Sequence, residues 1–272
     1  MPRTVVVTGA SSGIGRAAAV AFARHGDEVV LLGRDPQRLA EAVSAVREAG
    51  GRTPASYRAD FAVLDEVRAA GTQIAAEHEH VHVLANNAGL LPAVRPLTAD
   101  GNDPAMQINY LAGFLLTHLL LDRLRAAAAP TAPARIITTS SAAEAWGTLD
   151  ADRPGRPQYL RWLAYGASKQ ANILFTIEAA RRWAPEHIVP TCYFPGLVRS
   201  GFGRSSPSFS LARGLFLTPE QGADTLVWLA NDPAALIPGG YFASRSQFRA
   251  TPRATSWSRA VRLWASSLAS VI

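Results

Sequence analysis

Apolar residues along this chain alternate between two periods. Short runs at positions 4–8, 28–32, 56–59, 82–85, 135–139 (this one rich in β-branched residues) and 188–193 read as strands. Between them, apolar positions three and four apart predict helices over 15–24, 36–49, 63–79 and 104–125, with another carrying Tyr165 and reaching 183. Thr218-Pro-Glu-Gln221 has the form of a capped helix start, with proline at the first helical position and a glutamine that can answer the cap. That helix is expected to reach Ala230, and Tyr241 and Phe242, after two glycines, form the last expected strand. Strands joined by crossover helices imply a parallel sheet covered on both faces.

The tail, 256–272, repeats apolar residues at Trp257, Val261, Trp264, Leu268 and Val271, a stripe on one helical face. The first reading is that this stripe docks on its own domain or on a partner subunit. The competing reading is peripheral membrane contact, with Arg259 and Arg262 turned to headgroups. No repeat or linker interrupts the chain, so residues 1–272 are expected to form a single domain ending in this amphipathic tail.

Composition narrows the classes. With 272 residues, 48% of them apolar, the chain is not globally disordered. The net charge of +6 is spread over scattered arginines with no basic block interleaved with aromatics, which argues against nucleic acid. Cys192 is the one cysteine and lies in an apolar stretch, so it is read as a packed thiol in a reducing compartment. A strand beginning at Thr4 leaves no room for a signal peptide, and the apolar window 110–121 is too short to span a bilayer. A cytoplasmic protein is expected. His78, His80 and His82 alternate where a helix gives way to a strand, so no regular face presents all three and no metal site is expected.

Two places carry chemistry. The first strand ends in Thr8-Gly9-Ala10-Ser11-Ser12-Gly13-Ile14-Gly15 and runs straight into a helix. Glycines there permit a tight turn and close backbone approach, and the free N–H groups of the helix start face an anion such as a pyrophosphate. This context makes the sheet a doubly wound, Rossmann-type one that binds a dinucleotide. An acid at the tip of the second strand would accept bonds from a ribose 2′-hydroxyl, but the strand ends in Leu32-Gly33-Arg34. Arg34 offers a charged fork to a 2′-phosphate, so NADP(H) is favoured, with Asp35 next to it as the complication. Second, Tyr165 and Lys169 lie four apart on a helix and share a face. A neighbouring ammonium is expected to lower the pKa of the phenol and make it a general acid or base.

The glycine turn and the Tyr165/Lys169 pair together resemble the short-chain dehydrogenase/reductase superfamily over roughly residues 5–242. Asn86-Asn87-Ala88-Gly89 looks like the family's motif after the fourth strand, and Asp60, followed by Phe61, stands where a carboxylate meets the adenine amine. Ser141 matches the catalytic serine and Asn109 the tetrad asparagine. Pro195-Gly196 with Val198 matches the loop flanking the nicotinamide, and Ser200 stands where the family often has threonine. Residues 109–117, 164–176 and 218–222, with the long loop between Ser141 and Tyr165, resemble the retinol-dehydrogenase-like branch.

The resemblance implies an NADP(H)-dependent interconversion of carbonyl and alcohol on a fairly bulky, apolar small molecule. Tyr165 would move the proton, Ser141 would bond the substrate oxygen, Lys169 would tune the phenol and bind the nicotinamide ribose, and Asn109 would hold a water. Two variable stretches, 142–164 with Trp146, Tyr159 and Trp162, and 201–217 with Phe202, Phe209, Leu215 and Phe216, are expected to carry recognition. The helices bearing Asn109 and Tyr165 resemble those that build the family's dimer, although the tail is placed to shield them. Two other readings stand beside this one: epimerisation or another step without net redox on the same fold, and a catalytically idle nucleotide-binding scaffold.

Overall fold

The computed structural model describes residues 2–91, 96–158, 160–198 and 216–272. One eight-stranded sheet runs β3-β2-β1-β4-β5-β6-β7-β8. Its strands are β1 (Thr4–Thr8), β2 (Glu28–Gly33), β3 (Ala55–Arg58), β4 (Val83–Asn86), β5 (Ala134–Thr139), β6 (Ile188–Phe194), β7 (Tyr241–Ala243) and β8 (Ser246–Gln247). All neighbouring pairs are parallel except β7 with β8, a short hairpin at the edge. The strand order reverses at β1, where β4 takes the side opposite β2; such a switch point opens a crevice beyond the strand ends.

Helices cover both faces. On one lie α1 (Gly13–Arg24), α2 (Pro36–Gly50) and α8 (Pro219–Asn231), burying Phe22, Leu39 and Leu226 against Val5, Val7 and Leu31. On the other lie α3 (Leu64–Glu77), α5 (Ala112–Leu119) and α7 (Arg161–Trp183), burying Ile74, Leu115 and Leu174 against Val6, Leu84 and Ile136. The central strands are mostly apolar, with polar residues chiefly towards their ends, because both their faces are buried. The start of α8 is the expected capping box, with Thr218 accepting from Gln221 N and the Gln221 side chain accepting from Thr218 N.

The long helix expected over 104–125 is broken. It consists of α4 (Pro104–Met106), a π-turn (Gln107–Leu111), α5, and α6 (Leu121–Ala127) after a break at Leu120. A π-turn inserts one residue into the helical ladder and turns the following side chains, and such turns concentrate at functional positions. Apolar periodicity is too coarse to register a single inserted residue.

The tail forms α9 (Trp257–Val271) and docks on its own chain. Its buried face is Ala260, Leu263, Trp264, Ser267 and Val271. Trp257 is exposed, which corrects the expected stripe at its first member: it shares the face of Trp264 but stands at the first helical position, one heptad before it. Trp264 stacks on Phe175, meets Phe114, His118 and Trp183 edge-on, and lies under the Arg182 guanidinium. Tyr110 and Ser267 share a hydrogen bond of 2.7 Å. Arg259 turns inward to Gln170 and the Leu149 carbonyl, and Arg262 pairs with Asp152, so neither is held out for headgroups. Among the described residues no helix is long and apolar enough to cross a membrane.

Candidate active site

The crevice at the switch point is a cleft of about 570 Å³ that runs from the β1–α1 turn to the outer end of α7. At its floor, Gly9 and Gly13 hold positive φ of 66° and 53°. A side chain at Gly15 would place Cβ 2.3 Å from the Gly9 carbonyl oxygen, and one at Gly9 would meet the Ala88 Cα at 2.9 Å. Ser12 caps α1 by its backbone without a side-chain bond, so the first amides of the helix are left to face the cleft. This cradle has the bare backbone and free donors that a pyrophosphate requires. Ser11, Ser12 and Ile14 line the same wall.

Thr8 organises the next layer. Its hydroxyl donates to Ala85 O and accepts from Asn87 N and Ala88 N, both at 2.9 Å. The Asn87 side chain donates to Thr8 O, and Asn86 donates to Thr117. The sequence motif Asn86–Gly89 thus ties β4 to β1 and holds Ala88 and Gly89 at the cleft. Thr8 was missed as a functional position; its place at the end of the first strand, beside the glycine turn, was the available signal.

At the tip of β2, Arg34 and Arg38 both line the cleft. Asp35 is the N-cap of α2 and accepts from Arg38 N at 3.0 Å, so its carboxylate has a structural task. Asp60 accepts from Ala62 N and lies 3.7 Å from Arg34, with Phe61 next to it on the same wall. Arg38 did not emerge from the sequence reading, although it stands one helical turn from Arg34.

At the other end, Tyr165, Lys169 and Ser141 line one wall. The Lys169 ammonium lies 5.4 Å from the Tyr165 ring centroid and donates to Thr139 O at 2.9 Å. Ser141 sits at the end of β5, where its Oγ accepts from Ala143 N, and it also hydrogen-bonds Tyr165. Burial lowers Lys169 to about 7. Burial pushes Tyr165 up to about 12, and the Ser141 hydroxyl pulls weakly the other way. The expected lowering of the phenol by the lysine is therefore corrected for the protein by itself. The amine is turned to a carbonyl, it is charged only in part at neutral pH, and desolvation outweighs it.

Asn109 lies on the π-turn and is fully engaged. Its Oδ1 accepts from Leu90 N at 2.8 Å, and its Nδ2 donates to Leu90 O and Ser168 Oγ, each at 3.0 Å. A Cβ on Gly89 would lie 3.2 Å from Asn109 Oδ1 and 3.6 Å from Lys169 Nζ, so the three converge. Pro195, Gly196 (φ +82°) and Val198 form the opposite lip, and Val198 packs where a Cβ on Gly222 would be 2.6 Å away. Ser200, Tyr159 and the stretch 201–215, with Phe202, Phe209 and Leu215, lie outside the described residues.

A 3₁₀ turn (Ala142–Trp146) follows Ser141 and rests directly on α7. A Cβ on Gly147 would be 2.3 Å from Gly166 C, and one on Gly166 would be 2.5 Å from Ala143 O. The turn brings Trp146 to the cleft, which Trp162 also lines, and the Trp162 ring meets Tyr165 edge-on at 6.4 Å. Among the described residues no three His, Cys, Asp or Glu side chains cluster as metal ligands. His78 meets Glu28 and Tyr57, while His82 Nδ1 accepts from Thr4 N. Cys192 is buried and its thiol is pushed up to about 12, as befits a packed side chain.

Sheet, switch-point crevice and glycine cradle are those of a doubly wound, dinucleotide-binding fold. The family described as short chain dehydrogenase matches residues 3–209, and the chain belongs to it. It is 44% identical over 274 residues to the "Putative daunorubicin C-13 ketoreductase DnrU" of Streptomyces sp. strain C5, covering 99% of this chain and 92% of that one. It is 35% identical to mouse retinol dehydrogenase 14, covering 96% and 84%, which places it in the retinol-dehydrogenase-like branch. A short chain dehydrogenase from Escherichia coli CFT073, solved with NADPH, superposes with a TM-score of 0.72 at 30% identity, covering 88% of this chain and 95% of that one.

Proposed function

We propose that the whole chain acts as one unit, an NADP(H)-dependent oxidoreductase that interconverts a carbonyl and an alcohol on a bulky, apolar small molecule. The observation that carries this is the single cleft in which Tyr165, Ser141 and Lys169 stand at one end of a glycine cradle. The cofactor would be held by Gly9, Ser11, Ser12, Gly13, Ile14 and Gly15 at its pyrophosphate, by Asp60 and Phe61 at its adenine, and by Asn87, Ala88 and Gly89 along its length. Pro195, Gly196, Val198 and Ser200 would flank its nicotinamide, with Lys169 on the ribose. When bound, the reduced nicotinamide supplies the hydride.

The protein's own groups supply position and a proton. A phenol held near 12 keeps its proton at neutral pH and can give it to an oxygen that gains charge. Ser141, already bonded to the phenol, adds a second donor to that oxygen in a site from which much water is excluded. Lys169 stands behind Tyr165 to restore the proton, and Asn109 fixes the Leu90 backbone and the helix turn around Ser168. A water beside Asn109 would complete the path to solvent.

Arg34 and Arg38 favour NADP(H), because two guanidinium groups at the β2 tip match a 2′-phosphate and the acid between them is committed to capping α2. The NADPH complex of the Escherichia coli relative is consistent with this. Trp146, Trp162, Leu90 and Phe194 make the substrate end apolar, and the ketoreductase name of the 44% identical relative favours the reductive direction. The lone buried thiol fits a reducing, cytoplasmic setting. A homodimer through the α5 and α7 faces would have to accommodate α9, which packs on α7.

NADPH oxidation followed at its absorbance band over a panel of ketones and aldehydes tests the reading. Tyr165→Phe is expected to fold, to bind NADPH, and to lose about 10²–10⁴ in turnover. Wild-type turnover by that variant would overturn the assignment.

A further inference from the structure

The site as proposed uses nothing beyond α8, yet the chain continues through a segment that reaches back to the substrate end of the cleft. Glu144 is the link. It lies in the 3₁₀ turn two residues before Trp146, is 3% exposed, and belongs to none of the ion pairs among the described residues. A carboxylate so buried is tolerable only when its oxygens are bonded. Both are: Thr251 N donates to Oε1 at 2.9 Å and Thr251 Oγ1 donates to Oε2 at 2.7 Å, across 107 residues of chain.

A second strut starts from α9. Gln170, one turn beyond Tyr165 on α7, donates to Glu144 O at 2.7 Å and to Gly147 O at 2.9 Å. Its Oε1 is met by the Arg259 guanidinium at 3.4 Å, and the same guanidinium donates to Leu149 O at 2.8 Å. Ser266 then donates to Ala151 O at 2.6 Å. The C-terminal segment therefore holds this wall at the Glu144 carboxylate and at the carbonyls of Leu149 and Ala151, and it braces Gln170, which bonds the carbonyls of Glu144 and Gly147 from α7. The inner edge of that wall, at Ala143 and Gly147, also packs against Gly166 of α7.

We propose that Thr251 and Arg259 are positioning residues that set the substrate-facing wall, acting through Glu144 and Gln170 on the turn that presents Trp146. This rests on the reading of the cleft given above and deepens it. Neither residue touches the reacting atoms. They determine where the Trp146 ring stands and thereby how well a bulky substrate is held, while the cofactor end is left untouched.

The test is Thr251→Val, which keeps the shape and removes the hydroxyl, beside Thr251→Ser, which restores it. Amide hydrogen exchange of the cofactor-free protein reads the wall directly. Thr251→Val is expected to speed exchange at residues 143–147 about tenfold, with β1 and α1 unchanged and Thr251→Ser at wild-type rates. In turnover with NADPH, the KM for 2-acetylnaphthalene should rise at least about fivefold. Its kcat, the KM for NADPH and the kinetics with 2,3-butanedione should stay within about twofold. Unchanged exchange in the wall, or an increase spread over the whole sheet, would overturn the proposal. So would equal losses on both carbonyl probes. Tyr165→Phe in the same assay separates the two levels: its failure to lose turnover sinks the cleft assignment, whereas the exchange result stands or falls alone.

Discussion

Lys169 is the chain's only lysine, which makes its charge state measurable without interference. Burial lowers its ammonium from 10.5 to about 7. That displacement corresponds to about 5 kcal/mol of differential stabilisation. Between these two values the unfolded chain holds a proton on this amine that the folded chain does not, so stability rises with pH through the window. From about pH 7 to about pH 9 the cofactor-free protein should gain about 2 kcal/mol from this one group, since the full slope of about 1.4 kcal/mol per pH unit develops only above the folded midpoint. Lys169→Met removes the titration and with it the slope. Loss of the bond to Thr139 O shifts the variant's stability by a constant, and Cys192, present in both proteins, cancels. Denaturant unfolding at a series of pH values measures the difference, and lysine labelled isotopically at Cε gives a single resonance whose midpoint is read directly. Parallel stability profiles for the two proteins, or a resonance midpoint above about 9, would refute the reasoning.

Two further outcomes are expected. Arg34→Ala and Arg38→Ala should each raise the KM for NADPH about tenfold, the loss of a charge-assisted bond, with NADH little changed; equal losses for both nucleotides would remove the 2′-phosphate argument. Trp264→Ala should cost about 3–5 kcal/mol in denaturant unfolding, because the indole closes the cluster of Phe114, His118, Phe175 and Trp183; a cost under about 1 kcal/mol would mean that α9 is only loosely seated.

The order of strands and helices was legible because each central strand is buried on both faces and so reads as a short, mostly apolar run. Glycines at 9, 13 and 15 were legible because backbone geometry and residue type are tied there. Arg38 and Thr8 were not, since neither an arginine in a first helical turn nor a threonine at a strand end differs in type from its many structural counterparts. The π-turn within the 104–125 helix was invisible for the reason that it changes register by one residue. The pKa of Tyr165 was misjudged because spacing reports that two groups are near, while burial and the direction in which Nζ points decide the sign. In the tail the helical period was legible, but periodicity does not report where the covering surface stops, and Trp257 at the first helical position is exposed.

Gly147 and Gly166 bring the serine-bearing turn and the tyrosine-bearing helix together main chain to main chain. The gap between hydroxyl and phenol is consequently a dimension of the polypeptide itself, independent of whichever side chains happen to decorate the rim. Residues such as Trp146 and Trp162 can be exchanged to admit differently shaped molecules without recalibrating the proton-handling pair. An enzyme built this way can change its clientele while its chemistry keeps the same ruler.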